Sequence, residues 1–204
     1  MGIKKGFTMT EILVAMSIVG VLAAIMIPAF YRSKPNQEML MLKKSYYMMS
    51  RTISELINDD DFYNENEGFS DLKEVNYRDI SIANNSNTKF CRLVAARMNT
   101  NIDPNCTNMS FTDGTPSEGQ FTTQDGIAWI MPISNFSGSN KQDIWVDVNG
   151  TKGPNCVAGS NCQKNPDRFN FKVDKWGKLS VEDELAKKYL ASTNTVATYK
   201  EIMK

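Results

Sequence analysis

The sequence predicts an α+β fold: a long N-terminal membrane-spanning helix, a second helix in series with it, and a C-terminal antiparallel sheet. Three observations indicate this arrangement. An uncharged apolar run extends from Ile12 to Phe30, and apolar side chains recur at spacings of three and four from Gln37 to Ile57. From Gly126 onwards, short apolar or alternating segments are separated by turn residues, as in sequential antiparallel strands.

The apolar run has the length and composition of a helix that crosses a membrane. Its 19 residues contain Ser17 as the only polar side chain, and at about 1.5 Å per helical residue they match the thickness of a bilayer core. An ordinary secretory signal is an alternative, but its apolar region is shorter and its cleavage site follows that region. An uncleaved membrane anchor is a second alternative. Glu11 stands at the N-terminal edge of the run, where an ionisable group usually has a partner or a function.

A second helix is predicted from Gln37 to Ile57, where charged residues separate the apolar side chains at helical spacing. We interpret its methionines and tyrosines as core residues rather than as a cofactor site. A shorter helix is predicted from Thr88 to Met98. Residues 99–125 are rich in Asn, Thr, Ser and Gly, which predicts a long surface segment with little regular structure.

The C-terminal part of the chain carries the strand signals. Four segments are apolar or alternate apolar with polar residues: Gly126–Ile133, Asp143–Val148, Arg168–Val173 and Lys178–Ser180. Their connections imply an antiparallel meander, and we expect its inner face to cover the helix at residues 37–57. Ser180 to Asp183 resembles a helix capping box, which predicts a C-terminal helix from Val181 to Leu190.

Composition limits the functions that the chain is able to perform. The 204 residues leave about 170 outside the membrane segment, enough for one domain with a core. Lys and Arg balance Asp and Glu at 23 each, so the basic excess of a nucleic-acid-binding protein is absent. The sequence contains no histidine, the commonest general base and metal ligand. No nucleophile or phosphate-binding motif supports catalysis; hydrolysis by carboxylates alone stays open, although the sequence places no pair of them.

Four cysteines lie beyond the apolar run: Cys91, Cys106, Cys156 and Cys162. An even number in an exported domain favours disulfides, and four cysteines allow three pairings. We expect Cys91–Cys106 and Cys156–Cys162, because each pair closes a short polar loop. Free thiols are the alternative, and a zinc site is disfavoured because no pair shows the C-x₂-C spacing.

The first 30 residues resemble the N-terminus of type IV prepilins and type II secretion pseudopilins. A basic leader containing Lys4 and Lys5 ends at Gly6, Phe7 follows, and Glu11 is the fifth residue after the glycine. The apolar run comes next, with Pro28 near its far end. Because several elements stand at fixed spacing, the resemblance is specific.

In that family a prepilin peptidase cleaves after the glycine, and the new N-terminal residue is N-methylated. The resemblance therefore implies cleavage between Gly6 and Phe7, methylation of Phe7, and an assembly role for Glu11. The amine on Phe7 and the Glu11 carboxylate lie about one helical turn apart, so they are able to pair within one subunit or between neighbours. The family is understood to use the second arrangement to set axial register. It also has a long N-terminal helix whose second half packs on the sheet.

Three regions follow from this resemblance: a leader at residues 1–6, a transmembrane and assembly helix at 7–35, and a soluble pilin-like domain at 36–204. The implied partners are other pilin or pseudopilin subunits, the prepilin peptidase, an inner-membrane assembly platform and membrane lipid. No nucleic acid partner is expected. The implied location is the cytoplasmic (inner) membrane, as a single-pass protein, before assembly. Afterwards it is an extracytoplasmic pilus or a periplasmic pseudopilus.

A second resemblance covers Asp147 to Asn155 with Asp167 and Phe169, a stretch similar to one near the C-terminus of many pilin-like proteins. In some pseudopilins an acidic loop in this part of the fold binds calcium. Asp147, Asn149 and Asp167 offer oxygen ligands for such an ion. The alternative is that this stretch only forms turns.

The function predicted from the sequence is that of a structural subunit of a type IV pilus or type II secretion pseudopilus, not an enzyme, with no cofactor or with calcium alone. The alternative is a membrane-anchored exported binding module or enzyme that shares only the pilin-type anchor. Major pilin, minor pilin and pseudopilin are equally compatible with the sequence.

Overall fold

Two helices in series lead into a five-stranded sheet in the computed structural model, so the predicted α+β class is confirmed. The helices are α1 (Met9–Arg32), α2 (Gln37–Ile57), α3 (Lys89–Arg97) and α4 (Glu184–Ala191). The strands are β1 (Glu65–Asn66), β2 (Phe69–Ser70), β3 (Phe121–Thr122), β4 (Ala128–Ile130), β5 (Gln142–Asp147), β6 (Arg168–Val173) and β7 (Leu179–Val181). The structure describes residues 6–32, 36–59, 61–63, 65–66, 69–70, 72, 88–98, 100, 103–133, 136, 141–160 and 165–193.

Among the described residues, none covers α1 from Met9 to Ile27. Its residues Met9–Ile27 are long and apolar enough to cross a membrane, and 0% of the apolar window within them is buried inside the protein. Apolar side chains are exposed on every side of the helix, whereas a surface helix of a globular domain turns only one apolar stripe inward. Because exposing this surface to water is unfavourable, α1 requires another apolar environment.

α2 begins and ends where the sequence predicts, at Gln37 and Ile57. Asn36 fixes its start, since the side-chain Oδ1 accepts a hydrogen bond from the Met39 N–H at 3.0 Å, as an N-cap does. Its buried face consists of Met39, Leu42, Ser45, Met49, Thr52, Ile53 and Leu56. This spacing of three and four turns one side of α2 to the core.

The sheet is an antiparallel meander in the order β3-β4-β5-β6-β7. β5 and β6 pair over their whole length, from Gln142 opposite Val173 to Asp147 opposite Arg168. Side chains on one face of these two strands are fully buried: Ile144, Val146, Phe169, Phe171 and Val173. Tyr46 of α2 meets Phe171 edge-to-face, with ring centroids 5.6 Å apart. The predicted meander and its packing on α2 are therefore confirmed.

The turn between β6 and β7 lies directly against the C-terminal half of α2. Gly177 in this turn has φ +75°, a conformation that favours glycine. A Cβ at this position would lie 2.1 Å from Ile57 Cδ1 and 2.8 Å from Ile53 Cγ2. The close approach of turn and helix thus depends on the absence of a side chain.

Within the five-stranded sheet, β3 and β4 differ most from the sequence predictions. β3, at Phe121–Thr122, lies in the segment that was expected to be irregular. Pairing with β4 defines this strand, and such a tertiary contact leaves little trace in two residues of sequence. β4 itself covers Ala128–Ile130, less than the predicted 126–133.

A C-terminal helix is confirmed, but its predicted start at Val181 and its predicted cap are wrong, because Val181 belongs to β7. α4 begins at Glu184, and its N-cap is Asp183, whose Oδ2 accepts a hydrogen bond from the Ala186 N–H at 2.7 Å. Ser180 is not the cap, because it belongs to strand β7. α4 packs on the rest of the core through Tyr189, whose ring centroid lies 6.1 Å from that of Phe169.

Candidate functional site

The residues before α1 form an exposed, non-helical segment. Gly6, Phe7 and Thr8 precede the first helical residue, Met9, and the Phe7 side chain is 85% exposed. Apart from its chain neighbours, no heavy atom lies within 4 Å of the place that a Cβ would take at Gly6. Among the described residues, nothing therefore crowds the Gly6 side of the Gly6–Phe7 peptide bond, the predicted cleavage site.

Glu11 caps the helix to which it belongs. Its Oε2 accepts hydrogen bonds from the Thr8 N–H and the Thr8 hydroxyl, both at 2.8 Å. In return the Glu11 N–H donates to Thr8 Oγ1 at 3.3 Å. This reciprocal arrangement is a capping box, in which each side chain satisfies a backbone N–H that the helix leaves without a partner.

Thr8 is a site residue that the sequence interpretation missed. The signal was present, since Thr8 to Glu11 has the T-x-x-E pattern of a capping box. Among the described residues no basic side chain forms an ion pair with Glu11. The predicted pairing of Glu11 with an amine on Phe7 concerns the processed chain and stays a prediction.

A second candidate site is a buried charged cluster at one end of β5 and β6, which we call the loop cluster: Asp147, Asn155, Asp167 and Arg168. Asp147, Asp167 and Arg168 are all 0% exposed. Arg168 Nε donates to Asp147 Oδ2 at 2.7 Å across the paired strands. The two carboxylate oxygens of Asp167 accept the backbone N–H groups of Asn155, at 2.9 Å, and Cys156, at 2.6 Å.

The rest of the Arg168 guanidinium binds a segment far away in the sequence. Nη1 donates to the Thr112 carbonyl at 2.5 Å, and Nη2 donates to the Thr115 carbonyl at 2.6 Å and to Asn155 Oδ1 at 3.1 Å. The Phe111 ring covers one face of the guanidinium, with its centroid 4.7 Å from Cζ, in a cation–π contact. Arg168 thereby fastens residues 111–115 to the sheet.

Burial in the loop cluster changes the acidity of Asp147. Loss of solvation raises the pKa of the Asp147 carboxyl to about 6, the Arg168 hydrogen bond opposes this rise, and the nearby Asp167 charge adds to it. In the loop cluster, burial and the Asp167 charge thus favour the neutral form of Asp147, whereas Arg168 favours its charged form.

The three predicted calcium ligands lie close together, but their oxygens are largely occupied. Asp147 binds Arg168 through Oδ2 and accepts the Asn149 N–H at Oδ1, at 3.3 Å. Asp167 binds two backbone N–H groups. Asn149 Oδ1 is buried and has no hydrogen-bond partner among the residues that the structure describes. Within the described ranges, no group of three or more Cys, Asp and Glu side chains converges on a point where a metal ion would bind.

The Cys91–Cys106 disulfide forms as expected from the sequence and ties α3 to the segment before β3. Gln120, which is buried, supports it. The Gln120 side chain lies 3.2 Å from Cys91 Sγ, donates to the Thr107 and Met131 carbonyls at 2.8 and 3.1 Å, and accepts the Met131 N–H at 2.7 Å.

Cys156 is also part of a disulfide. Its predicted partner, Cys162, lies outside the described residues, so the pairing Cys156–Cys162 stays a prediction. Peptide mass spectrometry of the unreduced protein tests it directly.

A cleft of about 840 Å³ lies between the start of α2 and the turn that follows β5. Glu38 and Met41 line it on one side and Asn149 and Lys152 on the other. Its polar rim includes Asp125, which forms an ion pair with Lys44 at 2.7 Å.

Comparison with known proteins identifies the N-terminus. Residues 1–27 match the family model described as the prokaryotic N-terminal methylation motif, which is the signature of type IV pilins and pseudopilins. No curated protein and no solved structure matches the chain. The motif covers the leader, Glu11 and the candidate span of α1, and supports a processed, exported, pilin-like protein anchored in a membrane.

This motif marks a structural family whose members are typically not enzymes. It implies other pilin subunits and the prepilin peptidase as partners.

Proposed function

We propose that the chain is a structural subunit of a type IV pilus or a type II secretion pseudopilus. A prepilin peptidase cleaves it between Gly6 and Phe7, Phe7 is N-methylated, and the product assembles through α1. One observation carries the proposal: the methylation motif at residues 1–27 includes an apolar helical span, Met9–Ile27, that the other described residues leave uncovered.

The exposed surface of α1 explains why such a subunit has two successive environments. Cleavage before Phe7 leaves the apolar helix attached to the domain, so the processed protein stays in the membrane until it is extracted. A helix that is apolar all round is stable in lipid or among other apolar helices. A bundle of α1 helices from many copies supplies the second environment.

Processing and assembly are tested together with a matched pair of proteins. The full-length chain and its Gly6→Val variant are produced in cells that contain a prepilin peptidase and a pilus assembly system. We expect the wild type to lose residues 1–6 and to appear in sheared filaments, and Gly6→Val to remain uncleaved in the membrane. The branched valine replaces the small residue expected before the cleaved bond, while α1 is unchanged. A mature N-terminus other than Phe7 would contradict the proposed cleavage.

The cleft beside α2 favours a second candidate, a membrane-anchored binding module that shares only the anchor. The same experiment separates the two functions. A binding module is cleaved and retained in the membrane but is absent from filaments, whereas a structural subunit enters them. Cleaved wild-type protein that never joins filaments would favour the binding module.

A further inference from the structure

The loop cluster contains a cation of its own. We infer that Arg168 takes the place of a divalent metal ion between Asp147 and the loops around it, so that the folded domain does not depend on calcium. This inference concerns stability and does not rest on the proposed assembly function.

The atoms that surround the guanidinium are the atom types that calcium selects. Arg168 binds one carboxylate oxygen, two backbone carbonyl oxygens and one side-chain amide oxygen, from Asp147, Thr112, Thr115 and Asn155, at 2.7, 2.5, 2.6 and 3.1 Å. Calcium sites are built from the same kinds of oxygen. Here those oxygens converge on a planar fork of N–H donors, which a guanidinium presents in fixed geometry.

The remaining oxygens of the predicted ligand set are too few for calcium. Both oxygens of Asp167 accept backbone N–H groups, and Asp147 Oδ1 faces the Asn149 N–H at 3.3 Å. Asn149 Oδ1, also a predicted ligand atom, has no hydrogen-bond partner within the described part of the chain. Calcium takes about 6–8 oxygen ligands, so one buried amide oxygen beside two engaged carboxylates does not form its site.

Charge repulsion acts against an additional ion. Arg168 is 0% exposed, and the Phe111 ring, 4.7 Å from Cζ, covers one of its faces. An arginine side chain stays protonated in proteins. A divalent ion on Asp147 would therefore lie beside a fixed positive charge in surroundings where water screens little.

The first test compares the wild-type full-length protein, purified in detergent, with EGTA and with millimolar calcium chloride. Thermal unfolding is followed by circular dichroism. A ligand that binds the native state raises the unfolding midpoint, and we expect a change below about 1 °C. A rise of several degrees with calcium that EGTA reverses would overturn the inference.

The second test removes the internal cation. Arg168→Ala should lower the unfolding midpoint strongly, and guanidinium chloride at about 20 mM, well below denaturing concentrations, should restore part of the loss. Sodium chloride at the same concentration should not. Arg51→Ala is the matched control, because Arg51 is an exposed arginine on α2 that pairs only with Glu55 among the described residues.

One outcome of the second test supports the inference and another contradicts it. Restoration of Arg168→Ala by guanidinium or by calcium, with no effect on Arg51→Ala or wild type, supports an oxygen cage that Arg168 fills. An Arg168→Ala protein as stable as Arg51→Ala would contradict it. If Arg168→Ala does not fold, the calcium comparison on the wild type decides the question alone.

Discussion

At the residue scale, Glu11 caps its own helix, and we predict a second role for it in the proposed assembly. In the single subunit its Oε2 accepts the N–H and the hydroxyl of Thr8. In an assembled bundle, the amine that cleavage creates on Phe7 of a neighbour would need a carboxylate, because an unpaired charge among apolar helices is strongly unfavourable. The hydrogen bonds to Thr8 engage Oε2, so Oε1 is the oxygen that an incoming amine would meet.

We predict that Glu11→Ala is inserted and cleaved normally but enters filaments poorly. Removing the carboxylate leaves the neighbouring amine without a partner, and breaking a buried charge pair in this way costs about 3–5 kcal/mol. The measurement is the ratio of mature protein in sheared filaments to mature protein in membranes. Wild-type incorporation of cleaved Glu11→Ala would refute register pairing, whereas loss of cleavage would assign Glu11 to processing.

Three further variants separate the two roles of Glu11. Glu11→Gln should be intermediate, because it keeps an acceptor without the charge, and Glu11→Asp should be impaired, because its carboxylate is one methylene shorter. Thr8→Val removes the capping hydroxyl while the carboxylate remains. We expect Thr8→Val to enter filaments better than Glu11→Ala if pairing, rather than capping, is what assembly requires.

Gln120 is the second residue whose effect is predictable from its contacts. Its buried amide group bonds Thr107 and both backbone groups of Met131. Gln120→Leu should lower the free energy of unfolding by about 1–3 kcal/mol for each buried polar group left without a partner. Urea unfolding of the detergent-purified protein measures this free energy.

Gln37→Leu is the control, because Gln37 is exposed on α2 and surface changes stay within about 0.5 kcal/mol. An equal loss of unfolding free energy in both variants would contradict the role of Gln120.

At the scale of elements, the contact between the β6–β7 turn and α2 limits how closely sheet and helix approach. Gly177 combines a positive φ with two short distances to isoleucines of α2. Gly114 has nearly the same backbone, φ +74°, but no heavy atom within 4 Å of its hypothetical Cβ. Comparing substitutions at Gly177 and Gly114 therefore separates the cost of backbone strain from the cost of steric contact.

We predict that Gly177→Ala destabilises the protein more than Gly114→Ala does. Both variants carry the backbone cost of a side chain at positive φ, about 1–2 kcal/mol. Gly177→Ala adds overpacking against Ile57 and Ile53, typically about 1–3 kcal/mol. Chemical unfolding of both variants beside the wild type gives the difference. If the two losses of stability are equal, α2 relaxes away from the turn and the contact does not limit packing.

At the scale of the whole molecule, the candidate span of α1 and the part of the chain that follows it share no buried surface among the described residues. None of the candidate span is buried against the domain, and α2 has its own N-cap in Asn36. We predict that a fragment of residues 36–204 is soluble without detergent and folded. Circular dichroism and size-exclusion chromatography test this, and an unfolded or aggregated fragment would show that the domain needs α1.

The Asn36 cap of α2 allows a second prediction on the same fragment of residues 36–204. Asn36→Ala removes the acceptor for the Met39 N–H, so it should lower the stability of the fragment by about 1 kcal/mol. Thermal or urea unfolding of the two fragments measures the difference. No loss of stability would mean that another group caps α2 once α1 is removed.

The sequence by itself determined the parts of this protein that depend on local pattern. The methylation motif, the apolar span, the bounds of α2 at Gln37 and Ile57, and the alternation in β6 at Arg168–Val173 are all contained in short stretches of chain. Helical and extended backbones repeat their side chains with fixed periods, so a run of suitable residues specifies its own geometry. The capping box at Thr8 and Glu11 is also a local pattern, because the T-x-x-E spacing that forms it lies within four residues.

Only the tertiary structure decided the contacts between distant segments. Asp167 and Arg168 are neighbours in sequence, yet one binds backbone amides and the other binds carbonyls of residues 112 and 115, 56 and 53 positions earlier. Of the three residues that suggested calcium, Asp147 pairs with Arg168 and Asp167 binds backbone N–H groups. In the same way, β3 is a strand because β4 pairs with it. Such partners are brought together by chain folding, and the free energy of burying a charge depends on those partners rather than on the residue type alone.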